Sequence, residues 1–177
     1  ISPERIWQEL EEILTAPTRA AGWSLLIHLG LCDQLVGGLR FDRGPDSTIL
    51  RRLTALSDEP IDPALALAGL LCDGAADAAE DVCRALRLSN RLTQAVVWLV
   101  RSLPMLRRES DLELADLKIL MAEPNWPQLL ELLRVDLTAA NADLTPFESL
   151  RQRAEAIDSA DVAPPPLLSG DDLAAMG

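Results

Sequence analysis

The chain has 177 residues, 49% of them hydrophobic and 25% charged, so it can bury a sizeable core and is too apolar to stay disordered. Tyr is absent and Phe numbers 2, with Leu and Ala dominating the apolar set, which disfavours an all-β sandwich or barrel; the single histidine, His28, excludes a multi-histidine metal centre. A net charge of −12 makes the average surface repel nucleic acid and anionic membranes.

Helix punctuation runs along the whole chain. Ser2-Pro3-Glu4 supplies a cap, a first-turn proline and a first-turn acid ahead of Ile6, Leu10, Ile13 and Leu14 at helical spacing. Residues 17–29 form the next helical stretch, carrying Trp23, Leu26 and Ile27, with Gly30 as its stop. Gly37-Gly38 opens a short polar turn region. Residues 46–57 place Ile49, Leu50, Leu53 and Leu56 on one stripe before Pro60, and Asp62-Pro63 opens a short helix to Cys72. Helices are expected over 76–86 and 91–103, parted by Ser89-Asn90, residues that suit a cap. Ser110-Asp111-Leu112-Glu113 and Thr145-Pro146-Phe147-Glu148 both fit the capping box, and Pro127 starts a helix between them. Pro164-Pro165-Pro166 is a stiff spacer, and Ser169-Gly170-Asp171-Asp172-Leu173 reads as a further helix start. The expected fold is all-α, an irregular bundle of about eight to ten short helices.

Three cysteines, Cys32, Cys72 and Cys83, form an odd set without CxxC spacing and read as small buried hydrophobes of a reducing compartment. No apolar run approaches the roughly 20 residues of a membrane span. A cytoplasmic protein without membrane or DNA partners is therefore expected. The start at Ile1 and the end at Gly177 inside a helical pattern suggest a piece of a longer protein.

One segment reverses the acidic average. Between residues 84 and 108 stand six arginines (Arg84, Arg87, Arg91, Arg101, Arg107 and Arg108) and no acid, so the remainder carries −18. Arginine forks suit phosphate oxygens, and an acidic protein can still hold RNA if one face is basic, because counterion release depends on local phosphate contacts. The competing expectation is that these arginines pair with acidic helices elsewhere and solvate a face. Trp98, inside this segment, is the tryptophan placed to stack on a base, the other three fitting a core; His28 lies on an apolar stretch and is expected at the core or its boundary. Asp171-Asp172 fits first-turn acids better than metal carboxylates.

Four landmarks in order resemble bacterial tRNA nucleotidyltransferases and poly(A) polymerases. They are Ser2-Pro3-Glu4-Arg5-Ile6 with Glu9-Leu10, Gly30-Leu31, Arg87-Leu88-Ser89-Asn90, and Pro166-Leu167-Leu168-Ser169-Gly170-Asp171-Asp172-Leu173. The resemblance implies that residues 1–163 are a helical neck and body that bind RNA. Residues 164–177 would be a proline-rich linker and the start of a truncated tail helix. It also implies a catalytic head upstream of residue 1 that holds Mg²⁺ and uses CTP and ATP. The chain itself has no Gly-Ser element followed by a strand with Asp-x-Asp, so no catalytic residue, metal ligand or cofactor is expected in it and it should be inactive alone. The expected partners are that head and a tRNA or other RNA 3′ end, contacted by Arg84, Arg87, Asn90, Arg91, Arg101, Arg107 and Arg108. Some relatives carry an HD phosphohydrolase unit; Leu70-Leu71-Cys72-Asp73 resembles its "LLHD" with Cys in place of His. The alternatives are a degenerate HD-type domain without hydrolase activity, or an acidic helical module that docks proteins through an exposed Leu-rich patch.

Overall fold

A computed structural model describes residues 2–32, 47–57 and 61–158, together with 44, 59 and 162. Among the described residues there are nine α-helices, one 3₁₀ turn and no strand. The helices are α1 (Pro3–Thr15), α2 (Arg19–His28), α3 (Thr48–Ala55), α4 (Pro63–Leu71), α5 (Ala76–Ala85), α6 (Asn90–Arg107), α7 (Leu114–Met121), α8 (Trp126–Ala139) and α9 (Thr145–Glu155), with the 3₁₀ turn Glu109–Asp111 between α6 and α7. The Gly37-Gly38 turn, the proline spacer and the 169–173 helix start lie outside the described residues.

The starts follow side-chain chemistry. Ser2, Ser47 and Ser89 each accept a hydrogen bond from the backbone N–H three residues on, and Asp62 accepts from Ala64 and Leu65. α4, with the sequence PALALAGLL, is apolar on every side, and Ala64 to Leu71 are all buried. A helix of that kind is stable only when surrounded. α1, α3, α6 and α8 all pack against α4, while α5 packs on α6, α2 joins α1 to α3, and α9 caps α8. Arg19, 1% exposed, ties this frame together. Its guanidinium donates to the carbonyls of Leu14 (3.1 Å), Thr15 (3.3 Å), Ser57 (2.8 Å) and Glu59 (3.3 Å).

Three expectations change. Neither capping box forms. At 110–113 the chain makes the 3₁₀ turn, and Glu113 precedes α7 without a side-chain cap bond. Leu112 is buried there and its carbonyl accepts from Arg153 (2.7 Å), which holds the segment out of the helix. At 145–148, Thr145 is the first helical residue rather than the cap; its N–H and hydroxyl both donate to Asp143 (3.0 and 2.9 Å). Those bonds keep the exposed Asp143 carboxyl below its ordinary range. Finally, α6 runs past Pro104 to Arg107. The proline removes one helical hydrogen bond, but Leu103 and Leu106 are fully buried and Arg107 is anchored by Asp136, which offsets that loss.

Candidate nucleic-acid interface

α5 ends at Ala85 and Ser89 caps a new helix, so Arg84, Arg87 and Arg91 do not share one helical face. Leu88 donates back to the Cys83 carbonyl (3.0 Å), and Arg87 takes the left-handed conformation (φ 52°) that this C-terminal closure requires. The turn sends the six arginines in different directions. Arg84 stays over α5, on Asp81 (2.8 Å) and Glu80 (2.9 Å). Arg87 reaches across to Glu4 on α1 (2.9 Å). The backbone bond at the α1 N-terminus, then the Arg87 hydrogen bond, hold the Glu4 carboxyl below its usual range.

Arg107 turns inward. It forms a two-point pair with Asp136 (2.8 and 2.9 Å), while buried Arg52 bonds Asp136 (2.8 Å) on one side and Asp73 on the other. Burial pushes the Asp136 carboxyl up, but Arg107 and Arg52 outweigh it and hold it below the ordinary carboxylate range. Cys72, Asp73 and Asp136 have ligand atoms within 4.8 Å of one another. Burial, however, pushes the Cys72 thiol up to about 12, so it is a protonated thiol at neutral pH, and guanidinium groups already neutralise both carboxylates. A cation would have to displace those guanidiniums. The Leu70–Asp73 stretch thus ends in an arginine-filled polar core.

Arg91, Arg101 and Arg108 remain exposed and, among the described residues, have no ion pair. Arg91 and Arg101 sit on one side of α6, and Arg108 is the residue just past its C-terminal end. Positions 91, 94, 98, 101 and 105, spaced by threes and fours, form a single stripe about 21 Å long at 1.5 Å per residue. It reads Arg-Gln-Trp-Arg-Met, with Arg108 following at the helix end. Gln94 and Met105 are exposed and Trp98 is half-buried, with buried Val97 and Leu99 on either side of it in the helix. Each end of the stripe opens into a hollow. Arg91, Gln94, Ala95 and Trp98 face Glu123, Pro124 and Asn125 of the α7–α8 turn across a cavity of about 340 Å³. Pro104, Met105 and Arg108 face Asp111, Leu112 and Asp116 across one of about 260 Å³. Two carboxylates beside Arg108 offset its charge, so Arg91 and Arg101 are the more available cations. Asn90, at the start of α6, is exposed.

Trp7 and Trp23 are buried in the core, whereas Trp126 is half-buried like Trp98. His28 stands exposed in the last turn of α2, not in the core, because the apolar face of α2 is turned through Trp23. Asp171 and Asp172 lie outside the described residues. No helix among the described residues is long and apolar enough to cross a membrane.

Residues 1–41 match the family described as "Probable RNA and SrmB- binding site of polymerase A". The described part of this match is α1, α2 and the turn after them, and the arginine segment lies beyond it, touching it through the Arg87–Glu4 pair. No curated protein matches the chain. The N-terminal stretch is thus similar to an RNA-binding region of the poly(A) polymerase type.

Proposed function

We propose that the whole helical unit is the RNA-holding part of a template-independent nucleotidyltransferase, of the CCA-adding or poly(A) type, and that it positions an RNA 3′ end for a catalytic head. The observation that carries this reading is the α6 stripe. Arg91 and Arg101 on one face of α6, and Arg108 just past its end, form no ion pair among the described residues of a protein whose net charge is −12, in a chain whose first 41 residues match an RNA-binding family. The rest of the surface disfavours other orientations of a polyanion. Phosphates would rest on Arg91 and Arg101, with Arg108 and Asn90 at the ends of the track. Arg84 and Arg87 would join only by leaving Glu80, Asp81 and Glu4, exposed pairs that salt and a competing phosphate can open. Arg107 is committed to Asp136 and serves the core.

Reversing Arg91 and Arg101 to Glu tests the reading. Binding of the chain to tRNA, followed by filter retention between about 50 and 200 mM salt, should weaken, and its log–log salt slope should flatten by roughly one unit per lost contact. Unchanged affinity and slope in a folded double variant would remove the stripe from the proposal.

A second reading is favoured at one place. Leu25, Leu29 and Leu31 are 57%, 57% and 37% exposed at the end of α2, inside the matched segment. The family description also names SrmB binding, so this patch would be the protein-docking side of the same region, with the RNA track separate on α6. Loss of a protein contact in L25S/L29S, with tRNA affinity kept, is the expected result.

A further inference from the structure

The cleft at the N-terminal end of the α6 stripe holds more chemistry than a phosphate track needs. We propose that it is a binding site for one unpaired nucleotide. The base lies against the Trp98 indole, its exocyclic amino group donates to the Glu123 carboxylate, and its phosphate rests on Arg91. The inference rests on the RNA-binding reading above and deepens it.

Four observations converge. The cavity of about 340 Å³ is lined by one aromatic, one cation, one carboxylate and two amides (Trp98, Arg91, Glu123, Gln94 and Asn125), and it falls within the usual size of a small-molecule site. Arg91 and Glu123 border the same cleft yet form no ion pair with each other. Charges of opposite sign held apart across a cavity suit a ligand that is anionic at one end and a hydrogen-bond donor at the other. The side chains of Gln94 and Asn125 have no hydrogen-bond partner among the described residues, so they too are available for a base edge. Trp98 packs partly on the core from the middle of α6, so its ring is positioned before any ligand arrives.

The chemistry also selects the ligand. Inside a duplex each base is stacked on both faces and cannot meet an indole, so the site takes an unstacked nucleotide. A carboxylate acceptor rewards bases with an exocyclic amine and gives uracil the least.

The experiment uses the intact chain and three fluorescently labelled RNA hexamers of identical phosphate count: all-adenine, all-uracil and abasic. Anisotropy should show hexa-adenine binding about 5- to 100-fold more tightly than the abasic strand. In W98L the adenine strand should fall to the abasic value while the abasic strand is unaffected; W98F should retain most of the difference, and E123Q should narrow adenine over uracil. Circular dichroism of W98L and E123Q checks that both remain folded. An AMP titration separates the two sources of the ligand. Tighter binding of the hexamer than of AMP assigns the cleft to an RNA chain, and tighter binding of AMP assigns it to a free nucleotide. Equal affinity of wild type for adenine and abasic strands, or a difference that survives in W98L, overturns the site while leaving the phosphate track standing. Failure of every hexamer and of tRNA to bind at low salt overturns the RNA reading itself.

Discussion

Arg87 occupies a position that backbone sterics reserve for glycine. Three helices end with the same left-handed closure. Gly30 (φ 70°) directs Leu31 back to Leu26, Arg87 (φ 52°) directs Leu88 to Cys83, and Asn141 (φ 51°) directs Ala142 to Leu137. Glycine meets this conformation without strain, asparagine tolerates it, and arginine has a Cβ that crowds the carbonyl. Its ion pair with Glu4 lies in solvent and adds little. R87G should therefore raise stability by up to about 1 kcal/mol, moving the thermal midpoint up by about 2–4 °C, and calorimetry checks it. A lower midpoint would mean that the contact with α1 outweighs the strain. If the midpoint rises while tRNA affinity falls, the side chain serves binding at the expense of the backbone, a pattern that strained functional residues show.

At the scale of elements, the helices were legible where a cap and a periodic apolar stripe agreed, as at Ser2, Asp62 and Ser89. They were misread where a tertiary bond overrode the local signal. Ser110 and Thr145 match the capping pattern, but Arg153 pulls on the Leu112 carbonyl and Asp143 takes the Thr145 donors, neither visible in a four-residue window. Ending α6 at Leu103 also shortened the stripe, since Met105 then fell outside the helix; the three-and-four spacing from Arg91 to Met105 was present in the sequence throughout. The α1–α2 contact shows the same dependence on partners. A Cβ on Gly22 would stand 2.6 Å from Ile13 Cγ2, a branched atom with little freedom. Overpacking of that kind costs about 1–3 kcal/mol, against a helix-propensity gain of at most about 1 kcal/mol. G22A should thus destabilise in urea, and the same substitution in an I13A background should be neutral or stabilising. Equal effects in both backgrounds would show that Ile13 is not what glycine accommodates.

For the molecule as a whole, what the sequence could not reveal is how its charges are apportioned. Six arginines without a neighbouring acid look alike in one dimension. Folding brings Asp136 from 29 residues away to Arg107 and from 84 residues away to Arg52, so one of the six joins a partly buried ion network, two become surface pairs, and three have no ion pair among the described residues. No spacing rule predicts contacts of such separation. The network that ties Arg107 to the buried Asp136 also makes a pH signature. Asp136 has its folded pKa held below the value of about 3.9 expected of an unfolded aspartate. Its contribution is therefore complete above about pH 4 and is lost as pH falls through the folded value. Glu4 and Asp143, shifted in the same direction but exposed, add to that slope. D136N removes the charge and leaves Arg52 and Arg107 short of a partner, a change that costs about 3–5 kcal/mol when a buried pair is broken from one side. At pH 7 its thermal midpoint should lie about 6–20 °C below wild type. Between pH 5 and 2 the variant should lose stability less steeply, because it has one fewer depressed carboxyl to protonate. Parallel pH profiles for the two proteins would mean that Asp136 titrates alike folded and unfolded, and that the network does not hold the arginines of α6 apart.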